Sequence, residues 1–488
     1  MEAPTVSFFH HSTERKRLWE QLRIALRTRP LLSVSFGLYW LWIFMLLQSP
    51  SPLLESSPMP GIPLPTSILV LLANMLTYFL AALGHRKLNF MSKLKAVPFF
   101  LVIGMCCGTL LFALEARLPP DQGMFKMLLT VIASLSVGAS TACFCLETGR
   151  VFGILGPQQV LFHGTFALFW GTVGAGILIV LPASAQIPIL LLIPIVMVFS
   201  LFRSMQTLST NRLYTQGLEN KARIPWKFLF ISTFQGLGLG VLNTLIEVNT
   251  NLPVKPLAVC SFILATVLLF FTALNVRFNF DHLIFRVGFP LMAVGFFIIS
   301  AFDEALIPGS ALLYMGYAYM YLINCCLCSY FAKGLGQSPL WIIGLATGAL
   351  TVGQALGTVF SILPNMPGIG WCAGFMAFLL MLAALFMTAG NNLNRSWGVV
   401  VPGAGEYLRT NIESACQLVA SERNLSKREA EVTMLLICGR TRRTISDILT
   451  ISEETVKTHI ANIYIKIDVH SREELVALVE ARARTMGG

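Results

Sequence analysis

The chain has 488 residues, of which 55% are hydrophobic and only 12% charged, with a mean hydropathy of +0.71. Soluble domains carry about 25% charged residues, so most of this chain must lie in lipid rather than around a water-bathed core. The net charge of +11 would suit a nucleic-acid binder, yet residues 424–488 hold ten Lys+Arg against nine Asp+Glu, so the excess lies in segments between apolar runs.

In chain order, residues 1–30 form a basic segment in which Leu18, Leu22, Ala25 and Leu26 share one helical face with cations elsewhere. This is the pattern of a helix lying in the membrane interface on the cytoplasmic side. No small-residue cleavage site follows, only the Pro-rich stretch 49–65, so the segment reads as a retained anchor. Residues 31–389 then present twelve apolar runs, each near the ~20 residues that cross a hydrocarbon core. The predicted spans are 31–48, 66–84, 96–114, 124–146, 159–181, 187–202, 227–246, 256–275, 287–302, 310–332, 339–363 and 370–389.

With the N-terminus inside, nineteen Lys+Arg fall in inner segments, among them Arg86, Lys87, Arg150, Arg203 and Lys333. Only Arg117, Lys126 and Lys255 fall outside. This asymmetry predicts a multi-pass protein of the inner (cytoplasmic) membrane with both termini cytoplasmic. Nine of the eleven cysteines sit within apolar runs, which suits core residues of a reducing-side protein. The run Cys325-Cys326-x-Cys328 spreads around a helix without His or acid nearby, so no metal site and no cofactor are expected.

The longest inner loop, residues 203–226, divides the spans six and six. In that topology the chain resembles the major facilitator architecture, two six-helix halves around a midplane cavity. Gly104/Gly108, Gly236/Gly240, Gly344/Gly348 and Gly353/Gly357 are spaced four apart, as close helix packing requires. Glu147 and Glu247 are expected at span ends, and His163 alone among ionisable groups inside a span, so no buried carboxylate or arginine of the kind a proton-coupled carrier uses is expected. Asn74, Gln235, Asn243, Asn324 and Gln354 are expected to hydrogen-bond between helices.

After residue 389 the composition turns polar. Residues 390–423 read as a linker carrying an amphipathic helix, with Leu408, Ile412, Ala415 and Val419 on one face. Residues 424–488 predict four short helices. Ser426 and Glu429 form a capping box for a helix ending at Gly439. Thr441 caps a short second helix, Ser452 caps the third, and Ser471 with Glu474 opens the last. In the third helix Val456, Ile460, Ile463 and Ile467 make one buried stripe, leaving Thr455, Lys457, Thr458, Ala461, Asn462 and Lys466 on the other side. Short side chains around a cation suit entry into a DNA major groove.

The residues Leu425, Arg428, Glu429, Glu431, Val432, Gly439, Thr441, then Ile451, Ser452, Thr455, Val456, Lys457, His459, Asn462, Ile463, Lys466, then Val469, Ser471, Arg472 and Glu473 closely resemble the LuxR/FixJ/GerE-type pattern. The resemblance covers this C-terminal eighth, with the helix-turn-helix proper at 442–461. It implies contact with double-stranded DNA by Arg442, Arg443, Thr455, Val456, Lys457, Thr458, His459, Asn462 and Lys466, with Lys457 and Thr458 at base edges. It also implies a homodimer formed through the last helix by Leu475, Leu478 and Val479, with RNA polymerase a further candidate partner. Ala461 and Ile465 stand where many members carry a basic residue, so modest intrinsic affinity is expected.

The fold class expected is therefore all-α: a polytopic helix bundle of about twelve spans with a C-terminal four-helix LuxR-type domain. The expected function is transcription regulation by a one-component sensor that is not an enzyme, with the lipid bilayer and an unidentified small-molecule ligand as partners. The competing expectation is a major-facilitator-like transporter that carries a regulatory DNA-binding domain.

Overall fold

The computed structural model describes residues 22–47, 67–91, 96–119, 122–208, 213, 226–248, 254–275, 284–302, 304–333, 337–362, 369–388, 415–437, 442–449 and 451–482, less a few positions within them. The Pro-rich stretch, most of the basic N-terminal segment and of the long inner loop, and the predicted caps Gly439 and Thr441 lie outside these. Two compact units divide the chain, Met1–Leu393 and Asn394–Gly488.

Hydrocarbon offers backbone amides no water, so spanning segments must satisfy their own hydrogen bonds. Among the described residues of the first unit every regular element is helical. The elements are α1 Pro30–Leu47, α2 Ser67–Leu83, the short α3 His85–Met91, α4 Val97–Glu115, α5 Gly123–Ile154, α6 Pro157–Val180 and α7 Ala183–Met205. They continue with α8 Trp226–Val248, α9 Val254–Asn275, α10 Phe289–Ala301, α11 Leu306–Lys333, α12 Pro339–Ser361 and α13 Ile369–Thr388. All twelve predicted spans are helices, α3 being additional. By length and composition seven qualify as membrane spans outright; α1 qualifies jointly with the helical stretch Leu22–Thr28, from which it turns by 86°, and α2, α9, α10 and α13 contribute shorter apolar segments. Proline stands in the first turn of α4, α6, α10 and α12, where its missing N–H removes nothing from the helix.

The packing repeats. In the first half α1 packs on α6 and α7, α4 on α5 and α7, and α2 on α5. In the second half α8 packs on α12 and α13, α10 on α11 and α13, and α9 on α11, the same pairs six spans later. Between the halves α2 meets α12 and α6 meets α9, exchanged as a pseudo-two-fold would exchange them, while α5 and α11 face each other.

Glycine makes the tightest of these contacts. A Cβ on Gly236 or Gly240 would strike the carbonyl oxygens of Leu350 and Gln354, and one on Gly353 or Gly357 those of Thr233 and Leu237, so α8 and α12 touch backbone to backbone. Gly104 and Gly108 similarly admit Ser140 and Val137 of α5, and Gly344 admits the Tyr78 carbonyl. Leu72, Leu76, Leu80 and Leu83 form an exposed apolar strip along α2, a surface made for lipid.

Buried polar groups link helices as their spacing suggests. Thr141 donates to Asn74 Oδ1 at 3.1 Å, and Asn324 Nδ2 donates to Ser232 Oγ at 3.0 Å and to Gln235 Oε1 at 3.3 Å. Ser33 Oγ meets His163 Nδ1 at 2.8 Å. Asn243 and Gln354 are half-buried.

One expectation is overturned. Sequence ends the fourth span at Leu146 and places Arg150 in a loop, but α5 runs on to Ile154, carrying Glu147 and Arg150 inward at 5% and 0% exposure. Arg150 Nε and Nη2 grip the two carboxylate oxygens of Glu147, each at 3.1 Å, and Nη1 donates to Asn89 Oδ1 of α3. Pairing one turn apart lets both charges enter without leaving either uncompensated.

Replacing Arg150 with Met should cost about 3–5 kcal/mol by stranding a buried carboxylate, and adding Glu147→Met should restore most of it. Thermal unfolding of the purified protein in detergent measures both. Equal stability of the single variant and the wild type would show that the pair holds nothing together.

Candidate nucleic-acid interface

The second unit contains α14 Lys427–Ile437, α15 Arg442–Leu449 and α16 Glu453–Ile467, with helical residues before and after them. Its core joins Val432 and Leu436 of α14, Ile445 of α15, and Val456, Ile460, Ile463 and Ile467 of α16. Ala415, Cys416 and Val419 complete it from the preceding helix, and Leu475 and Val479 from the closing one. The described end of the amphipathic stretch, Ala415 to Val419, is thus part of this compact core, while Leu408 and Ile412 lie outside the described residues.

Local chemistry sets each helix. The capping box forms in full: Glu429 N–H donates to Ser426 Oγ at 3.2 Å, and Ser426 N–H to Glu429 Oε2 at 2.7 Å. Ser452 Oγ accepts the Thr455 N–H at 3.1 Å and starts α16, whose first turn carries Glu453 and Glu454 at the positive end of the helix dipole. Asp468, with φ 64°, closes α16 in the left-handed region, a conformation Asp tolerates better than most residues. At the last helix Ser471 Oγ caps Glu474 N–H at 3.1 Å, but the Glu474 carboxylate reaches back to His470 N–H rather than to Ser471, at 2.7 Å.

Several charged residues of the sequence pattern prove to be internal ties. Lys466 Nζ donates to the Glu429 oxygen that serves the capping box, at 2.7 Å, so the end of α16 is fastened to the start of α14. The hydrogen bond from Lys466, with the Ser426 N–H behind it, holds the Glu429 carboxyl down at about 2. Arg428 Nη2 donates to the Leu449 carbonyl at 2.6 Å, satisfying the end of α15, and Arg472 Nε donates to the Leu436 carbonyl at 3.1 Å, satisfying the end of α14. Arg482 pairs with Glu422 across the first and last helices. The signal for these ties was present in sequence as fixed spacing, but nothing in the spacing distinguished a tie from a DNA contact.

The outward side of α16 carries Thr455, Lys457, Thr458, Ala461, Asn462 and Ile465, all exposed. Lys457 Nζ rests on Glu454 Oε1 at 3.0 Å, a solvent-exposed pair that is readily exchanged for another anion. Thr458 Oγ1 donates to the Glu454 carbonyl at 3.0 Å. Ile465 is 78% exposed on the same side. Arg442 is exposed, His459 is half-buried, and the Arg443 side chain lies outside the described residues.

Three predicted site residues are corrected. Val456 is fully buried beneath α16, as its place in the apolar stripe requires, and presents nothing to a duplex. Leu475 and Val479 are likewise fully buried in the domain's own core, with Leu478 packed partly against it, so a second copy cannot reach the first two.

Because Glu429 is held below the ordinary carboxylate range, its contribution to stability is complete above about pH 4.5 and is lost as pH falls toward about 2. Lys466→Met should destabilise residues 394–488 by about 1–3 kcal/mol at neutral pH and flatten this acid limb. Urea unfolding across that pH range tests it; an unchanged limb in the variant would dissociate Lys466 from Glu429.

Residues 423–479 match the family model described as bacterial regulatory proteins, luxR family. The uncharacterized response regulatory protein YgeK of Escherichia coli K12 is 42% identical over 71 residues, 14% of this chain. The match spans about half, 48%, of that relative's length. The membrane unit is similar to the human organic anion transporter MFSD10 (TETRAN), with 16% identity, TM-score 0.53, and coverage of 74% of this chain and 99% of that one. It is also similar to a bacterial homologue of the iron transporter ferroportin in an outward-facing state, with 16% identity, TM-score 0.51, and coverage of 77% and 98%. At such identity these structures establish fold alone. The chain therefore joins a LuxR-type helix-turn-helix domain at its C-terminus to a polytopic membrane unit whose fold is similar to that of these transporters.

Proposed function

We propose that this protein is a membrane-embedded transcription regulator that senses a small molecule through its twelve-span unit and binds promoter DNA with its C-terminal domain on the cytoplasmic face of the inner membrane. One observation carries the proposal: the input fold and the output domain occupy a single chain. Ligand binding between the halves biases their relative tilt, and the change is relayed to the pairing of DNA-binding domains on a promoter, where RNA polymerase is the downstream partner. A complete switch from 1:99 to 99:1 needs a preference of about 5.5 kcal/mol for one state, so a graded response is expected.

On the DNA side, Lys457 and Thr458 meet base edges, Thr455, His459 and Arg443 lie near phosphates, and Arg442 and Asn462 belong to the same DNA-facing set. Lys466 approaches the backbone only through whatever freedom its tie to Glu429 leaves. The two copies associate through residues other than Leu475 and Val479.

A second function is favoured by one feature, the buried Glu147–Arg150 pair, since intramembrane charges of this kind mark substrate or proton paths in carriers. In that alternative the protein is a transporter with a regulatory domain. Uptake into sealed vesicles separates the two, because a sensor binds without accumulating.

In binding titrations of residues 394–488 against promoter DNA, Lys457→Ala should weaken binding by about 1–3 kcal/mol. Ile465→Lys should tighten binding and steepen the salt dependence by about one phosphate contact. Tight binding by Lys457→Ala, with the fold intact, would remove α16 from the interface. For the sensor, equal reporter output under every ligand condition, with DNA binding intact, would exclude a signalling role.

A further inference from the structure

Just before its first span the chain runs almost at right angles to it. The helical stretch Leu22–Thr28 turns by 86° from α1, so with α1 crossing the bilayer it lies in the membrane plane. One side of the stretch is anchored. Leu22 and Ala25 are buried at 6% exposure each in one cluster with Phe162 of α6, and Leu26 and Phe270 of α9 pack against that cluster. Since α6 belongs to the first half and α9 to the second, and the two helices form one of the contacts between the halves, the stretch rests against that seam.

Its depth follows from helix rise. Phe162 stands five residues from the start of α6 and Phe270 five from the end of α9, about 7.5 Å along each helix at a rise of about 1.5 Å per residue. Interfacial helices sit about 5–10 Å into the boundary between headgroups and acyl chains, so the free side of the stretch meets headgroups.

That free side is cationic. Arg23 and Arg27 are both exposed and stand one turn apart on one flank, while Ile24, 55% exposed, occupies the other. Residues 22–30 hold no Asp or Glu, and among the described residues neither arginine forms an ion pair. Like charges at this spacing repel each other, and each guanidinium offers a planar fork of donors that matches a phosphate. A phosphate between them turns the repulsion into charge-assisted hydrogen bonds on both sides.

We infer that Leu22–Thr28 is a binding site for anionic phospholipid, in which Arg23 and Arg27 share the headgroup phosphate and Ile24 meets an acyl chain, and that the bound lipid fastens the stretch across the α6–α9 seam. A zwitterionic headgroup brings its own cation to the phosphate and gains less from two arginines. A free phosphate has no chain to set beside Ile24. The site is independent of the sensor function proposed above.

Hydrogen exchange of the full chain, followed by mass spectrometry, tests this in nanodiscs of phosphatidylcholine alone or of phosphatidylcholine and phosphatidylglycerol in equal parts. Phosphatidylglycerol should slow exchange of residues 22–28 about five- to thirtyfold, as one to two cations at an anionic surface would, and should slow the adjoining ends of α6 and α9 with them. Arg23→Gln combined with Arg27→Gln should abolish the slowing. Arg86→Gln combined with Lys87→Gln, an equal loss of exposed charge from α3, should leave it whole. Exchange elsewhere in the chain reports that each variant is folded. Inorganic phosphate added to the phosphatidylcholine nanodiscs should change nothing. The site is overturned by any of four results: no slowing by phosphatidylglycerol, slowing that survives the arginine substitutions, slowing lost equally in the α3 variant, or an equal response to inorganic phosphate. Slowing confined to residues 22–28, with the ends of α6 and α9 unmoved, would overturn the fastening across the seam.

Discussion

Inside a bilayer no water is available to satisfy a peptide group, and the rest of this structure depends on that constraint. It makes every described span a helix, and it removes the hydrophobic effect as a force holding helix to helix, since lipid tails are as apolar as leucine. What remains is close packing, with hydrogen bonds between helices beside it. The glycines of α8 and α12 let carbonyl oxygens of one helix sit where Cβ atoms of the other would have been, and this intimacy fixes the second half as a block. The first half pairs its corresponding helices α1 and α6 in the same manner, where Gly171 lies against the backbone of Gly37. Two blocks built alike and joined along a few helices are the geometry in which one can tilt against the other.

The second unit answers to a different constraint, the satisfaction of the ends of its short described helices. Arg428, Glu429, Lys466 and Arg472 are all committed to carbonyls, amide hydrogens or each other. Their charges build the domain, which leaves few cations on the outward side of α16. The fixed spacing of the sequence pattern is largely the spacing of these ties.

What sequence could and could not disclose follows from the physics of each signal. Apolar run length is a bulk property, and each of the twelve runs it picks out contains a helix. Charge was treated as a terminator, and there it failed: Glu147 and Arg150 end an apolar run but not a helix, because partners one turn apart neutralise each other and can go in together. At Val456 two signals disagreed. Periodicity placed it in the buried stripe and the family pattern placed it at the DNA, and burial decided for periodicity. Leu475 and Val479 show the same conflict, since an apolar strip on a terminal helix serves a core as well as a partner, and only the surrounding helices tell which.

The Glu147–Arg150 pair has an electrical consequence. A lone charge carried through the full transmembrane field exchanges about 2.3 kcal/mol of work for every 100 mV, enough to make a conformational equilibrium answer to voltage. Two opposite charges locked 3.1 Å apart on one helix move together and present the field with almost nothing to push against. Any displacement of α5 therefore transfers no net charge through this pair, and energising or collapsing a membrane around it leaves the pair's own contribution unchanged.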